Sequence, residues 1–234
     1  LFDWGILPSK SFDTPVIAVG NLSAGGTGKS PHVEYLIRLF KEEYAVSTLS
    51  RGYGRKTSGY FLADANTRES DVGDEPFQYF RKFKGIHVAV DEKRAHGISK
   101  LTELNKPSQV IILHDAFQHR HVKPGLSILL TDFHHLYTND YVLPSGRLRE
   151  FRGGAKRADV IIVTKTPKVF SPLLRRSLSK QLKPAAHQKL YFSFITYDSA
   201  VPFFIPKSKK LQKLKHDHIL CFTGIANAYP LHEY

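Results

Sequence analysis

Apolar residues along this chain fall into short runs separated by stretches with helical spacing. "PVIAVG" (15–20), "YAVSTLS" (44–50), "IHVAV" (86–90), "QVIILHD" (109–115), "LSILLTD" (126–132) and "DVIIVTK" (159–165) are rich in Val, Ile and Leu. Runs that are apolar on both faces predict strands buried in a parallel sheet. Val33, Leu36, Ile37 and Phe40 recur at i, i+3, i+4 and i+7, so a helix begins near Ser30, with Pro31 in its first turn. "HGISKLTEL" (96–104) and the basic, amphipathic "FSPLLRRSLSKQLK" (170–183) predict two more helices. "KLYFSFITY" (189–197) alternates like a strand with one wet face, and "HILCFTG" (218–224) closes the series. Residues 200–217, rich in Pro and Lys, read as a connection. No internal repeat is evident. Strands alternating with helices predict an α/β fold, a mainly parallel sheet flanked by helices.

Composition agrees with a folded core: 234 residues, of which 41% are hydrophobic and 12% aromatic. No run approaches the roughly 20 apolar residues that span a bilayer, so the chain reads as soluble or peripheral. The single cysteine, Cys221, lies in a strand-like run and reads as a core residue; there is no disulfide framework, which fits a reducing compartment. The chain begins at Leu1, contains no Met and stops at Tyr234, and so reads as a fragment trimmed at both ends.

The charge changes this picture. The net charge is +13, unevenly spread: residues 1–150 carry 19 Lys/Arg against 17 Asp/Glu, and residues 151–234 carry 15 against 4. Such asymmetry points to an anionic partner: a nucleic acid, an acidic lipid or a phosphorylated substrate. The basic third lacks the interleaved aromatics that stack on single strands, so nucleic acid is not expected. Two regions are expected: a catalytic core over 1–150, and a basic continuation over 151–234 that leads into a smaller second lobe.

The chemistry begins between the first strand and the first helix. Ser23-Ala24-Gly25-Gly26-Thr27-Gly28-Lys29-Ser30 matches the phosphate-binding loop G-x-x-x-x-G-K-[ST] everywhere but its first glycine, here Ser23. Glycines let main-chain N–H groups curl around phosphates, and the helix N-terminus adds its positive dipole end. Lys29 is expected on the β- and γ-phosphates and the Ser30 hydroxyl on Mg²⁺. "VTKTP" (163–167) stands where GTPases carry N-K-x-D; the Asn position is Thr164 and the Asp position Pro167, which favours ATP.

Other candidates lie at strand ends. "GDEP" (73–76) sets Asp74 and Glu75 between Gly and Pro and reads as a loop, where a carboxylate is placed to deprotonate a hydroxyl or bind Mg²⁺. Asp115 ends a buried strand, the usual place for a second metal-associated acid, and His119 and Arg120 follow. Arg51 and Arg55 in "SRGYGR" (50–55) read as phosphate or sugar contacts, or as a turn. Arg147 and Arg149 in "LPSGRLRE" (143–150) suit a phosphoryl clamp, or surface charge. His134 and His135 are adjacent and do not face one metal.

Taken in order, "VGNLSAGGTGKSP" (19–31), "SRGYGR", "GDEP", "DAFQHR" (115–120), "LPSGRLRE", "ADVIIVTK" (158–165) and "TGIAN" (223–227) resemble the tetraacyldisaccharide 4′-kinase (lipid A 4′-kinase) family. The resemblance implies a P-loop core with a smaller second lobe. It implies transfer of the γ-phosphoryl of Mg·ATP to the 4′-hydroxyl of a tetraacylated glucosamine disaccharide 1-phosphate, giving lipid IVA. It also implies a peripheral position on the cytoplasmic face of the bacterial inner membrane, against an anionic surface. By that resemblance Asp74 is the base, Lys29 and Arg149 are catalytic, and Ser30, Glu75 and Asp115 serve the metal. Asn21, Arg51, Tyr53, His119 and Arg147 face the substrate. "LFDWGILP" (1–8) reads as the stub of an interfacial helix or as core packing. There are two departures. The first Asp of the family's D-D pair is His114, a poor Mg²⁺ partner. The family's base-pairing His lies in a stretch beyond "TGIAN", past the end of this sequence. Two rival readings are a P-loop kinase of a soluble small molecule and a nucleotide-switch or metallochaperone NTPase.

Overall fold

β1 (Val16–Asn21) is buried along its whole length, because it lies inside a sheet covered on both faces. Its neighbours are β5 (Val110–His114) and β6 (Leu126–Asp132), both parallel to it. The structure, a computed structural model, describes residue 2 and residues 6–196. The chain forms two compact units, Leu1–Phe194 and Ile195–Tyr234; the sheet belongs to the first.

The remaining strands are β2 (Val46–Ser50), β3 (Phe61–Leu62), β4 (His87–Val90), β7 (Val160–Thr164) and β8 (Lys189–Phe192). Their order across the sheet is β3-β4-β2-β5-β1-β6-β7-β8. Every pair is parallel except β3 with β4. The six buried runs read from the sequence are strands here: "LSILLTD" keeps its bounds, β1 shifts by one residue to end at Asn21, and the other four are shorter by one or two residues. The sheet continues through β7 and β8 past residue 150 without a break, and the compact unit ends at Phe194. The closing strand "HILCFTG", Cys221, the connection 200–217, the second lobe and Trp4 lie outside the described residues.

Alternate side chains of each strand go to opposite faces. Ile17 and Val19 of β1, with Ile112 and Leu130, pack under Val33 and Ile37 of α1 (Lys29–Phe40) and Tyr79 and Phe83 of a later helix segment. Val16, Ala18, Ile111 and Leu113 pack on the other face against Ile98 and Leu101 of α4 (Arg94–Thr102). Leu178 and Leu182 of α5 (Pro172–Leu182) cover Ile161 and Val163 of β7. Ser171 caps α5 by accepting from the Leu174 N–H at 3.2 Å, with Pro172 at its first position.

One expectation fails. "GDEP" is not a loop. A single turn, α2 (Glu69–Val72), leads through Gly73 into α3 (Asp74–Lys82), so Asp74 and Glu75 occupy the first turn of a helix. Carboxylates there meet the positive end of the dipole, and Pro76 needs no N–H so close to the start. Pro76, Tyr79, Phe80 and Phe83 fall at i, i+3, i+4 and i+7, a helical stripe that the Gly-Pro flanks mask. Gly73 has φ 88°, and a Cβ on it would stand 2.5 Å from the Tyr53 carbonyl oxygen. Only glycine fits this corner.

Candidate functional site

The carboxyl ends of parallel strands gather the candidate residues on one edge. The chain runs from β1 out to β2 and β4, returns through β5, then crosses to β6. The switch point therefore lies at β1 and its neighbours, where open α/β sheets bind ligands.

The loop after β1 is braced from both sides. Gly28, at φ 84°, turns the chain into α1, whose first N–H groups have no intrahelical partner. Ala24, Gly25 and Gly26 are exposed, and nothing lies within 4 Å of a Cβ built on Gly25 or Gly26, so the space over the loop is open. The "LPSGRLRE" segment pairs with the loop's incoming arm: the Ala24 N–H donates to the Arg147 carbonyl at 2.7 Å and the Arg149 N–H to the Leu22 carbonyl at 2.7 Å. On the far side the Thr164 hydroxyl donates to the Thr27 carbonyl at 3.0 Å. Lys165 Nζ donates to the Gly26 carbonyl at 2.6 Å and to Asp132 Oδ2 at 2.7 Å. "VTKTP" thus braces the phosphate loop.

Asn21 is wholly buried. Its Nδ2 donates to Thr27 Oγ1 at 2.8 Å, its carbonyl accepts from Gln118 Nε2 at 2.8 Å, and its Oδ1 accepts from Arg149. Its polar groups hold the loop. Arg147 stands apart from the cleft residues. It is exposed and outside the cleft lining, and it is placed by its main chain.

A cleft of about 530 Å³ opens beside the loop, lined by Lys29, Arg51, Tyr53, Asp74, Glu75, Arg94, His114, Asp115, His119 and Arg149, among others. Tyr53 stands at its mouth, 93% exposed. Lys29 Nζ lies 3.6 Å from Asp115 Oδ1 and 3.5 Å from Asn21 Oδ1. Arg149 grips Asp115 with both arms, at 2.7 and 3.0 Å. Burial pushes the Asp115 carboxyl up, but the Arg149 hydrogen bonds and the Lys29 charge outweigh it and hold the group below the usual carboxylate range. Ser30 Oγ donates to Glu75 Oε1 at 2.6 Å, and Glu75 Oε2 is 3.4 Å from His114 Nδ1. The carboxylate beside Ser30 is therefore Glu75. Asp115 faces Arg149.

Sequence reasoning missed Arg94, the fourth residue beyond β4. It is 3% exposed, its guanidinium donates to the Asp91 carbonyl, and its Nε has no hydrogen-bond partner. Burial, with the Arg51 charge, pulls it down to about 10. The same burial, with Arg94 and Arg51, pulls His119 down to about 4, so its imidazole is neutral near pH 7. A polar residue just past a parallel strand was the available signal for Arg94. Gln118, which donates to Asn21 and to Glu150 Oε1, was also missed, although it sits within "DAFQHR".

The oxygen donors of Ser30, Glu75 and Asp115 suit a hard divalent cation. Among the described residues no three His, Cys, Asp or Glu side chains form a metal cage. Mg²⁺ at phosphate-transfer sites commonly takes few protein ligands and draws the rest from phosphate and water. The donor set fits such an ion.

Residues 1–233 match the family model described as Tetraacyldisaccharide-1-P 4′-kinase. The chain is 51% identical to the tetraacyldisaccharide 4′-kinase of Phocaeicola vulgatus over 97% of its own length and 63% of that protein's. It is 52% identical to the Parabacteroides distasonis enzyme of the same name, over 99% and 64%. The chain thus spans under two thirds of these relatives' length. Among solved structures it resembles "apo" form LpxK from Aquifex aeolicus in complex with ATP: TM-score 0.65, 29% identity, 90% of this chain and 80% of that one.

Proposed function

Because the chain belongs to the tetraacyldisaccharide-1-P 4′-kinase family, we propose that it carries the phosphoryl-transfer site of a lipid A kinase. The donor is ATP, and the acceptor is the 4′-hydroxyl of a tetraacylated glucosamine disaccharide 1-phosphate. One observation carries the reading: the phosphate-loop lysine and the first-turn carboxylates of α3 line the same cleft.

Placement supports the following roles. The loop N–H groups and Lys29 hold the β- and γ-phosphates. Asp74, exposed at the N-terminus of α3 and lining the cleft, takes the acceptor hydroxyl's proton as the new O–P bond forms and the bond to the ADP oxygen breaks. Arg149 steadies charge on the phosphoryl oxygens. Arg51, Arg94 and Tyr53, with neutral His119, offer donors and an aromatic rim to the sugar and its anionic groups. Ser30, Glu75 and Asp115 would hold Mg²⁺, and the ion would neutralise phosphate charge. Adenine is favoured because Pro167 supplies no carboxylate to pair with guanine.

The setting is a peripheral position at the cytoplasmic face of the bacterial inner membrane. Among the described residues no helix is long and apolar enough to cross a membrane. α5 presents Arg175, Arg176 and Lys180 around an open hollow of about 480 Å³, charge suited to acidic headgroups. The deciding experiment incubates the full-length protein with labelled ATP and the disaccharide 1-phosphate. A doubly phosphorylated glycolipid is expected. ATP bound or hydrolysed with no label in lipid refutes the reading.

A further inference from the structure

The connection between β6 and β7 carries apolar side chains that the phosphate-transfer site leaves unused. Tyr141, Leu143 and Phe151 are 64%, 54% and 80% exposed, and Pro144 and Ser145 are exposed too. Alternation turns them outward. The Leu143 N–H donates to the Leu148 carbonyl at 2.9 Å, and the Leu148 N–H to the Tyr141 carbonyl at 2.8 Å. Successive residues of such an extended arm face opposite sides. Val142 packs inward with buried Leu148, which sends Tyr141 and Leu143 to solvent.

The exposed charge on this tip has one sign. Arg147 and Arg152 are exposed, and Arg152 lies over the Tyr141 ring at 5.5 Å. The two neighbouring carboxylates are engaged by the chain itself. Asp140 accepts from the Tyr141 and Arg147 N–H groups at 2.8 and 3.0 Å, and Glu150 accepts from Arg157 and Gln118. Apolar and aromatic side chains beside arginines suit the boundary between acyl chains and acidic headgroups, where rings sit at the interface and guanidinium groups reach phosphates. The tip is also tied to the phosphate loop: the Arg147 carbonyl accepts from the Ala24 N–H and the Arg149 N–H donates to the Leu22 carbonyl, both at 2.7 Å.

We propose that residues 141–152 form a membrane-docking tip. Tyr141, Leu143 and Phe151 enter the interface of a bilayer rich in acidic phospholipid, and Arg147 and Arg152 pair with its headgroups. Because tip and phosphate loop are bonded main chain to main chain, docking there holds the cleft at the surface in which an acylated acceptor lies. The inference rests on the lipid-kinase reading and adds the surface by which the lipid is met.

Its test separates the two. Flotation measures binding of the full-length protein to phosphatidylcholine vesicles with and without phosphatidylglycerol, in the absence of ATP and acceptor. The parent should prefer the acidic vesicles, and L143S/F151S should bind them about tenfold or more weakly. On a short-chain acceptor dissolved as monomers, kcat of this variant should stay within about twofold of the parent, while kcat/KM on vesicle-borne acceptor falls with binding. Vesicle binding by L143S/F151S equal to the parent's overturns the inference. Loss of binding in R175E/R176E with none in L143S/F151S also overturns it, because docking then belongs to α5. So does a lipid-free dimer, seen in sedimentation, that L143S/F151S dissociates. If the double variant melts early, F151W decides: its added fluorescence should be quenched by brominated-chain phosphatidylglycerol, and no added quenching overturns the inference. Binding through the tip with no label passed to lipid overturns the kinase reading and supports the docking surface.

Discussion

Arg149→Ala tests the site at its most connected point. The guanidinium forms a fork with both Asp115 oxygens, at 2.7 and 3.0 Å, and reaches the Asn21 carbonyl at 3.3 Å. A fully buried pair of this kind is strongly destabilising to break. These side chains are 28% and 32% exposed, so water screens them and the loss shrinks to about 1.5 kcal/mol. For a protein of this size each kcal/mol moves Tm by roughly 2–4 °C, which gives a fall of about 3–6 °C. The catalytic effect is larger. Removing one donor from a developing oxyanion costs about 10²–10³ in kcat. Because Arg149 divides its charge between Asp115 and the phosphoryl group, the low end, about 100-fold, is expected. Arg149→Lys would keep the charge but not the fork, and its kcat and Tm should fall between those of the parent and Arg149→Ala. Thermal melts and steady-state transfer to the disaccharide 1-phosphate at saturating ATP give both numbers. A kcat within about threefold of the parent in Arg149→Ala would refute the assignment, whatever the Tm.

Lys29→Ala and Asp74→Asn in the full-length protein should each lose more than about tenfold in kcat, roughly 1.4 kcal/mol of barrier, measured by label transfer at saturating substrates. Gly73→Ala forces a Cβ to within 2.5 Å of the Tyr53 carbonyl at φ 88°. It should lower stability by about 2 kcal/mol, read from the urea midpoint, and move Asp74 enough to reduce kcat as well. His119, pulled down to about 4, binds its proton more readily unfolded than folded. Its contribution should therefore be present above about pH 6.5 and be lost as pH falls toward 4. His119→Gln should flatten the slope of urea stability between pH 6.5 and 4.5, and an unchanged slope would reject this account.

The sheet was legible because burial on both faces writes itself as unbroken apolar runs. β1, β5, β6 and β7 needed no more than that. The phosphate loop was legible because few sequences place glycines, Lys29 and Ser30 between a strand and a helix. α3 was not. Its identity as a helix depends on a corner at Gly73 that forces the chain past Tyr53 and on Tyr79 and Phe83 finding the core, facts of tertiary packing that "GDEP" does not carry. The bracing contacts of Asn21 and the burial of Arg94 were missed for a related reason. Burial and bracing of a polar group depend on neighbours distant in sequence: Gln118 and Arg149 meet Asn21, and the fold buries Arg94 within reach of the Arg51 charge.

The same packing explains how a carboxylate on α3 comes to meet Ser30 at the start of α1. Beyond Ser30 and Glu75, Glu34 of α1 is 5% exposed and accepts from Gln78 Nε2 at 2.8 Å and Lys82 Nζ at 2.6 Å, both on α3. Arg38, one turn further along α1, donates to Glu34 at 3.1 Å and lies over the Phe83 ring at 5.3 Å. Successive turns of α1 thus hold successive turns of α3, and the rungs lead back to the cleft. A buried carboxylate such as Glu34 is costly unless fully paired, so the ladder tolerates little slippage. It therefore fixes the height of Asp74 relative to Lys29, which is what the proposed in-line transfer between a triphosphate and an alcohol would demand.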